Sequence, residues 1–337
     1  MLLEYYKNRF LIILTITCVL LVITALGCNK KCNRMRHIVA VSPDGNKIAM
    51  AIGPCIKEYP YIDNIKTCAA IMDTNSPSII VLIKESEPVS WLAWRSYGSN
   101  QELFISSFPL VHPGKIFRVE FSDANMKVTS NPLPKYTNLM YMRWNKTGQI
   151  LACSAFKGYE KFLGLYYNDS NEFIITDIPS SGNIVWKDDK SLYVVSDDCN
   201  NISTVSITDS NYQVVKSFTT SEKVYLAGIL DNELAYRSRD KIYLGDKILY
   251  EADNEIGAVI VDYPNIAFQT KTKLGRKIIV ISNKGNLINE KKVKEDSILV
   301  GFADDFIYLQ EEQQYIKKYN IINDNAKVSL VFSVNDI

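Results

Sequence analysis

The residues with most chemical capacity are carboxylates in pairs: Asp188-Asp189, Asp197-Asp198, Asp304-Asp305 and Glu311-Glu312. Two carboxylates about 5–10 Å apart could act as acid and base on a glycosidic bond, and clustered carboxylates could ligate Ca²⁺. The EF-hand spacing is absent, and the doublets lie between apolar runs, so they are expected as turn residues. Histidine chemistry has little to draw on, because the chain holds only 2, His37 and His112. A Ser-His-Asp triad would have to use His112, in 109-PLVHP-113, and no GxSxG elbow accompanies it. GxGxxG and GxxxxGK[ST] are missing as well, which removes the usual phosphate cradles.

Cysteine is the other reactive type, with 7 in the chain. No CxxC pair occurs, and with so few histidines no metal site is expected. Cys28 follows Gly27 at the end of an uncharged apolar run, Phe10 to Leu26, which is preceded by Lys7 and Arg9. A basic start, an apolar stretch and a small residue before a break form the anatomy of an export signal. The ending Ala25-Leu26-Gly27-Cys28 resembles a bacterial lipobox, which implies lipidation of Cys28 and removal of residues 1–27. The alternative is an uncleaved transmembrane anchor, since the run is near the roughly 20 residues that span a bilayer. Residues 28–36 then form a basic tether beside the membrane. Cys55 and Cys68 flank 55-CIKEYPYIDNIKTC-68. In an oxidising compartment a bridge there would add ~3 kcal/mol. Cys153 and Cys199 are either a second pair or two reduced thiols.

Lys+Arg number 38 and Asp+Glu 37, so no field exists to hold a nucleic-acid backbone and no nucleic-acid partner is expected. Hydrophobic residues at 47% and charged residues at 22% are ordinary globular usage.

The elements that must position these residues are strands. From His37 to the end, runs of Val, Ile, Leu, Tyr and Phe alternate with Asn, Asp, Gly, Ser and Lys, the strand-and-turn signature. One phrase recurs: apolar strand, polar turn, second apolar strand. Its instances are 38-IVAVSPDGNKIAMAI-52, 89-VSWLAWRSYGSNQELFISS-107, 139-LMYMRWNKTGQILACSA-155, 183-NIVWKDDKSLYVVS-196, 224-VYLAGILDNELAYRS-238, 257-GAVIVDYPNIAFQT-270 and 298-ILVGFADDFIYLQ-310. Further strand-like runs follow most of them, including 116-IFRVEF-121, 203-STVSI-207 and 277-KIIVIS-282. Four strands every ~40–50 residues is the period of a propeller blade. The expected fold is all-β: a seven-bladed β-propeller of four-stranded antiparallel blades over residues 37–337, with six or eight blades as alternative counts. Because 327-KVSLVF-332 can complete the last unit, closure needs no strand borrowed from the start.

Ser42-Pro43-Asp44-Gly45 followed by Lys47-Ile48-Ala49 resembles the motif of TolB-type and WD-repeat-like propellers, and Trp144-Asn145-Lys146-Thr147-Gly148-Gln149 is a diverged copy. Trp94, Trp144 and Trp186 occupy equivalent places before the turn, where large rings can fill the wedge between blades.

Such a resemblance implies an interaction platform. The face expected to bind carries the loops between second and third strands, among them 54-PCIKEYPYIDNIKTC-68, 108-FPLVHPGK-115, 157-KGYEKF-162, 237-RSRDK-241 and 271-KTKLGR-276. Tyr59, Tyr61, His112, Tyr159, Glu160, Arg237 and Arg239 are the candidate contact residues, of types suited to protein or glycan contacts. The reading is a lipid-anchored scaffold for a protein or peptide in the cell envelope, facing periplasm or exterior, with no cofactor. The alternative is a glycan hydrolase or lyase using carboxylates at the central mouth.

Overall fold

The computed structural model describes residues 33–54, 67–74, 79–85, 89–97, 100–107, 114–122, 125–133, 139–157, 160–208, 211–272, 275–303, 305–312, 315–321 and 329–333. They form seven four-stranded antiparallel sheets, each contiguous in sequence. Blade one holds β1 (Asn33–Val41), β2 (Lys47–Pro54), β3 (Thr67–Asp73) and β4 (Ile79–Glu85). Blade two holds β5 (Val89–Tyr97), β6 (Asn100–Ser107), β7 (Lys115–Ser122) and β8 (Asn125–Pro132). Blade three holds β9 (Leu139–Trp144), β10 (Ile150–Lys157), β11 (Glu160–Tyr167) and β12 (Glu172–Pro179). Blade four holds β13 (Ile184–Trp186), β14 (Ser191–Val195), β15 (Asn201–Thr208) and β16 (Asn211–Thr219). Blade five holds β17 (Val224–Leu230), β18 (Glu233–Ser238), β19 (Lys241–Leu244) and β20 (Lys247–Glu251). Blade six holds β21 (Ile256–Asp262), β22 (Asn265–Thr272), β23 (Gly275–Ser282) and β24 (Leu287–Val293). Blade seven holds β25 (Ile298–Ala303), β26 (Phe306–Glu311), β27 (Tyr315–Asn320) and β28 (Ser329–Ser333).

The sequence pattern follows from position within a blade. Second strands are buried on both faces and read as continuous apolar runs: Ile48 to Ile52 on β2 are at most 4% exposed. Fourth strands lie on the rim, and β16 is exposed along most of its length. The seven buried clusters each join two neighbouring blades. The core therefore lies in the seams between sheets rather than at one centre, and an isolated blade would leave apolar faces in water.

The Ser-Pro-Asp-Gly turn is held by its own side chains. The Ser42 hydroxyl donates to Asp44 Oδ1 at 2.5 Å and accepts from the Lys47 N–H at 2.8 Å. Gly45 takes a φ of 66°, left-handed backbone that glycine adopts without steric cost. In blade three Asn145 replaces serine and accepts from the N–H groups of Gln149 and Ile150.

Closure matches the expectation of complete first and last units, since blades one and seven each pair only within themselves. Ile48, Met50 and Met72 of blade one pack with Tyr308 and Ile316 of blade seven, and the Tyr308 hydroxyl donates to the Gly45 carbonyl at 3.1 Å. One boundary differs. β1 starts at Asn33, inside the stretch expected as a tether, with Asn33 to Met35 paired to Ile52 to Pro54. Backbone pairing does not depend on side-chain charge, so Arg34 and Arg36 do not stop the strand.

Candidate binding site

In each blade the first strand runs from the inter-blade connection to the first hairpin, so the loops between second and third strands share a face with the inter-blade connections. On that face a cleft of about 590 Å³ opens between blades five and six and reaches Ile298 at the start of blade seven. Its wall includes Ile256, Ala258 and Ile298, and its charges are Arg237, Lys271, Arg276 and Glu255. Arg237 stands on β18 opposite Tyr225 of β17, with its guanidinium 4.0 Å from the ring centre. Burial pushes the Arg237 pKa down, while Tyr225 and Glu255 pull it up. No described carboxylate bonds it. Arg276 donates from Nη1 to the Ser297 carbonyl at 2.9 Å, and Gln269 Nε2 donates to the same oxygen at 2.6 Å. A smaller cleft of about 360 Å³ lies between blades four and five, beside Glu222, Ser238 and Asp240. There the Tyr236 and Tyr243 rings stack 4.8 Å apart, and the Ser238 hydroxyl donates to Glu222 Oε2 at 2.9 Å.

The central channel is a third space, of about 350 Å³, lined by the later residues of the first strands. Its lining is aliphatic and aromatic, with Trp91, Trp94 and Trp144, and Arg143 is the charged residue among its described wall. The tryptophans fill inter-blade wedges as expected. Trp94 Nε1 donates to the Ala40 carbonyl at 2.9 Å, and Trp186 Nε1 to the Arg143 carbonyl at 2.8 Å. Trp144 packs edge-on against Phe104 at 4.6 Å.

Among the candidate residues, Arg237 lies in the larger cleft, Arg239 is exposed in the β18–β19 turn with a φ of 50°, and Glu160 is exposed at the start of β11. The structure does not gather these three into one site. Tyr59, Tyr61, His112, Tyr159, Cys28 and Cys55 lie outside the described residues, as does the side chain of Cys68. Cys153 and Cys199 are free thiols, which removes their pairing: Cys153 is buried in the seam between blades two and three, whereas Cys199 sits in a blade-four loop. The described doublet residues serve local structure. Asp188 caps its turn by accepting from Ser191 and the Lys190 N–H, and Asp189 accepts from the Thr147 N–H across the seam. Glu311, 2% exposed, accepts from Lys317 and Tyr319. Among the described residues no group of three His, Cys, Asp or Glu could hold a metal ion.

Three functional candidates escaped the residue-level reading. Arg276 and Lys271 sit in a loop expected on this face, but nothing in 271-KTKLGR-276 marks which side chains turn into a cleft. Arg143 did leave a signal: it is a cation inside an innermost strand, between Met142 and Trp144.

No family model and no curated protein sequence matches this chain. The likeness is to solved structures and is one of fold. The β-propeller domain of the Trilobed protease from Pyrococcus furiosus, described as having an open velcro topology, aligns at 12% identity over 90% of this chain and 100% of that one, with a TM-score of 0.61. A Pyrococcus horikoshii acylaminoacyl peptidase aligns at 13% identity over 90% of this chain, TM-score 0.61, and this chain spans 53% of its length. A Listeria monocytogenes protein aligns at 13% identity over 88% of this chain and 97% of its own, TM-score 0.56. The ring is thus a seven-bladed β-propeller distantly similar to peptidase propellers.

Proposed function

We propose that the ring is a lipid-anchored platform in the cell envelope that binds an acidic segment of a protein or peptide in the cleft between blades five and six. The observation that carries this reading is Arg237, a half-buried guanidinium stacked on Tyr225 and bonded by no described carboxylate. With Lys271 and Arg276 it gives the cleft an excess of cations over Glu255, beside an apolar wall. Charged donors at the rim of an apolar groove give orientation and specificity to an extended ligand. The channel wall also supports a platform, because a hydrolase at the central mouth would need two facing carboxylates and the described wall offers a cation instead. Acylation at Cys28 would supply the anchor, since two or more chains hold a protein durably at a membrane.

The test is fluorescence anisotropy with labelled hexapeptides, one rich in Glu and Phe and one in Lys and Phe. The acidic peptide is expected to bind, to weaken as salt rises, and to lose at least about tenfold in the R237A/R276A variant, as expected for a charge-assisted hydrogen bond of roughly 1.5–3 kcal/mol. Equal binding of both peptides, or an unchanged double variant, removes the cleft assignment. A mature chain retaining residues 1–27 in mass spectrometry removes the lipid anchor, and turnover of a glycan library in place of binding returns the hydrolase.

A further inference from the structure

We propose that the central channel is a carboxylate-binding site in which the Arg143 guanidinium receives the anion. The geometry begins with β9. Arg143 pairs with Ala152 and Met140 with Ser154, so Tyr141 and Met142 together oppose the single residue Cys153. Tyr141 takes a φ of 56° at this bulge. A bulge shifts the side-chain alternation of the strand beyond it. Met142 enters the core at 1% exposure, and Arg143 lines the channel.

No described side chain gives Arg143 a counter-charge. The Arg143 side chain is exposed to the lumen. No described carboxylate, hydroxyl or carbonyl bonds the guanidinium. Three other arginines of the ring are bonded. Arg95, 6% exposed, donates to Glu102 and to the Gly148 carbonyl. Arg118 meets Glu102 and Glu120, and Arg276 meets the Ser297 carbonyl. Arginine does not shed its proton inside a protein, and a narrow channel whose described wall carries charge of one sign focuses that field onto an entering anion.

The wall selects the kind of anion. A guanidinium presents a planar fork that matches a carboxylate through two parallel bonds. The rings of Trp91, Trp94 and Trp144 offer apolar flanks. A space of about 350 Å³ admits a few atoms of an extended chain, not a folded surface. The ligand is therefore a carboxylate on a slender apolar chain, either a peptide C-terminus or an acidic side chain. This site stands apart from the cleft and does not rest on it.

The test follows tryptophan emission of the full-length chain during titration with acetate, with the tripeptide Ala-Val-Leu as free acid and as amide, and with an amidated peptide carrying one Glu. The expected result is saturable binding of acetate and the free acid, at least tenfold weaker in R143Q and unchanged in R237A. R143K, which keeps the charge and loses the fork, is expected to bind several-fold more weakly than the wild type, and it serves if R143Q fails to fold. Binding of the amidated Glu peptide names the side-chain source, and binding of the free acid alone names the C-terminal source. No saturable response to any carboxylate, or equal affinity in the wild type and the Arg143 variants, overturns the proposal. Loss in R237A with retention in R143Q does so too, and would return the anion to the cleft.

Discussion

Closure of the ring without strand exchange places a sharp demand on the seam between blades seven and one, and Gly301→Ala tests it. A Cβ at Gly301 would fall inside the van der Waals shell of Val41 on the neighbouring blade, and 3.3 Å from the Tyr308 ring. Both strands are braced: Val41 is paired to Ile48 on β2, and Gly301 to Tyr308 on β26. The methyl cannot be absorbed by one rotamer change, so overpacking of about 1–3 kcal/mol is expected. Roughly 300 ordered residues unfold with about 0.6 kcal/mol/K of entropy, so 2 kcal/mol lowers Tm by about 3 °C. The decisive assay is a double-mutant cycle in urea. Val41→Ala alone costs about 1 kcal/mol of packing, and it also clears the space the new methyl needs. In that background Gly301→Ala should cost little, leaving a coupling above about 1 kcal/mol. Additive losses would mean that the two residues do not meet, and with that the side-chain account of closure fails. Gly228→Ala, whose Cβ would lie 2.8 Å from Val261 Cβ in the seam between blades five and six, is the matching control at a seam inside the chain.

The acid limb of stability should report on Glu102 and Asp44. Burial opposes the Glu102 charge, but the bonds from Arg118 and Arg95 win and hold its pKa down. Burial likewise opposes Asp44, while donors from Ser42 and Asn46 bring it to about 2. Depressed folded values add stability above the unfolded pKa, near ~4, and that stability drains as pH falls from there toward 2. Chemical denaturation between pH 7 and 2.5 should show it. E102Q should cost about 3–5 kcal/mol at neutral pH, because it removes the carboxylate shared by Arg95 and Arg118, and should flatten the limb; an unchanged limb would exclude Glu102 as its source. Maleimide mapping by mass spectrometry should find Cys199 labelled in the native ring. Cys153, 0% exposed and with its thiol pKa pushed up by burial, should label only in denaturant, and native labelling of Cys153 would contradict the packing of that seam.

What the sequence revealed depended on how strongly position constrains composition. The first and second strands of every blade were legible because they line the channel or sit between two sheets. Burial there demands apolar runs such as Ile48 to Ile52, and the tight hairpin demands Asp and Gly. The rim strands were harder. β8 and β24 read as polar segments, Asn125–Pro132 and Leu287–Val293, and are largely exposed where described. A rim strand needs only backbone pairing on one side, so its side chains carry little of the fold. β3 begins Thr-Cys-Ala-Ala, of which Thr alone favours a strand, and is specified by its neighbours β2 and β4. The clefts were the least legible. Arg237 stood among the candidates as a loop cation, but its pairing with Tyr225 is set by the β17–β18 register, which shifts between Leu226 and Gly228. A one-residue shift reverses which face a side chain occupies.

The same dependence on register separates two kinds of arginine in the ring. Arg95 and Arg118 share Glu102 across β5, β6 and β7, where Arg95 faces Glu102 and Glu102 faces Glu120 in neighbouring strands. Their charges are spent on holding one blade together and tying it to the Gly148 turn of the next. Arg143 and Arg237 have no such partner among the described residues, although each lies on a strand that could have carried one opposite. Ala152 stands opposite Arg143, and Tyr225 and Ile242 opposite Arg237. The Tyr225 ring attracts the Arg237 charge, and Arg143 faces the lumen, but neither forms an ion pair with a described residue. Arg143 lies near the hairpin end of its first strand, and Arg237 on the face of the inter-blade connections. An anion in the channel and an acidic segment in the cleft would therefore approach from different sides of the ring, each meeting a charge that no described carboxylate bonds.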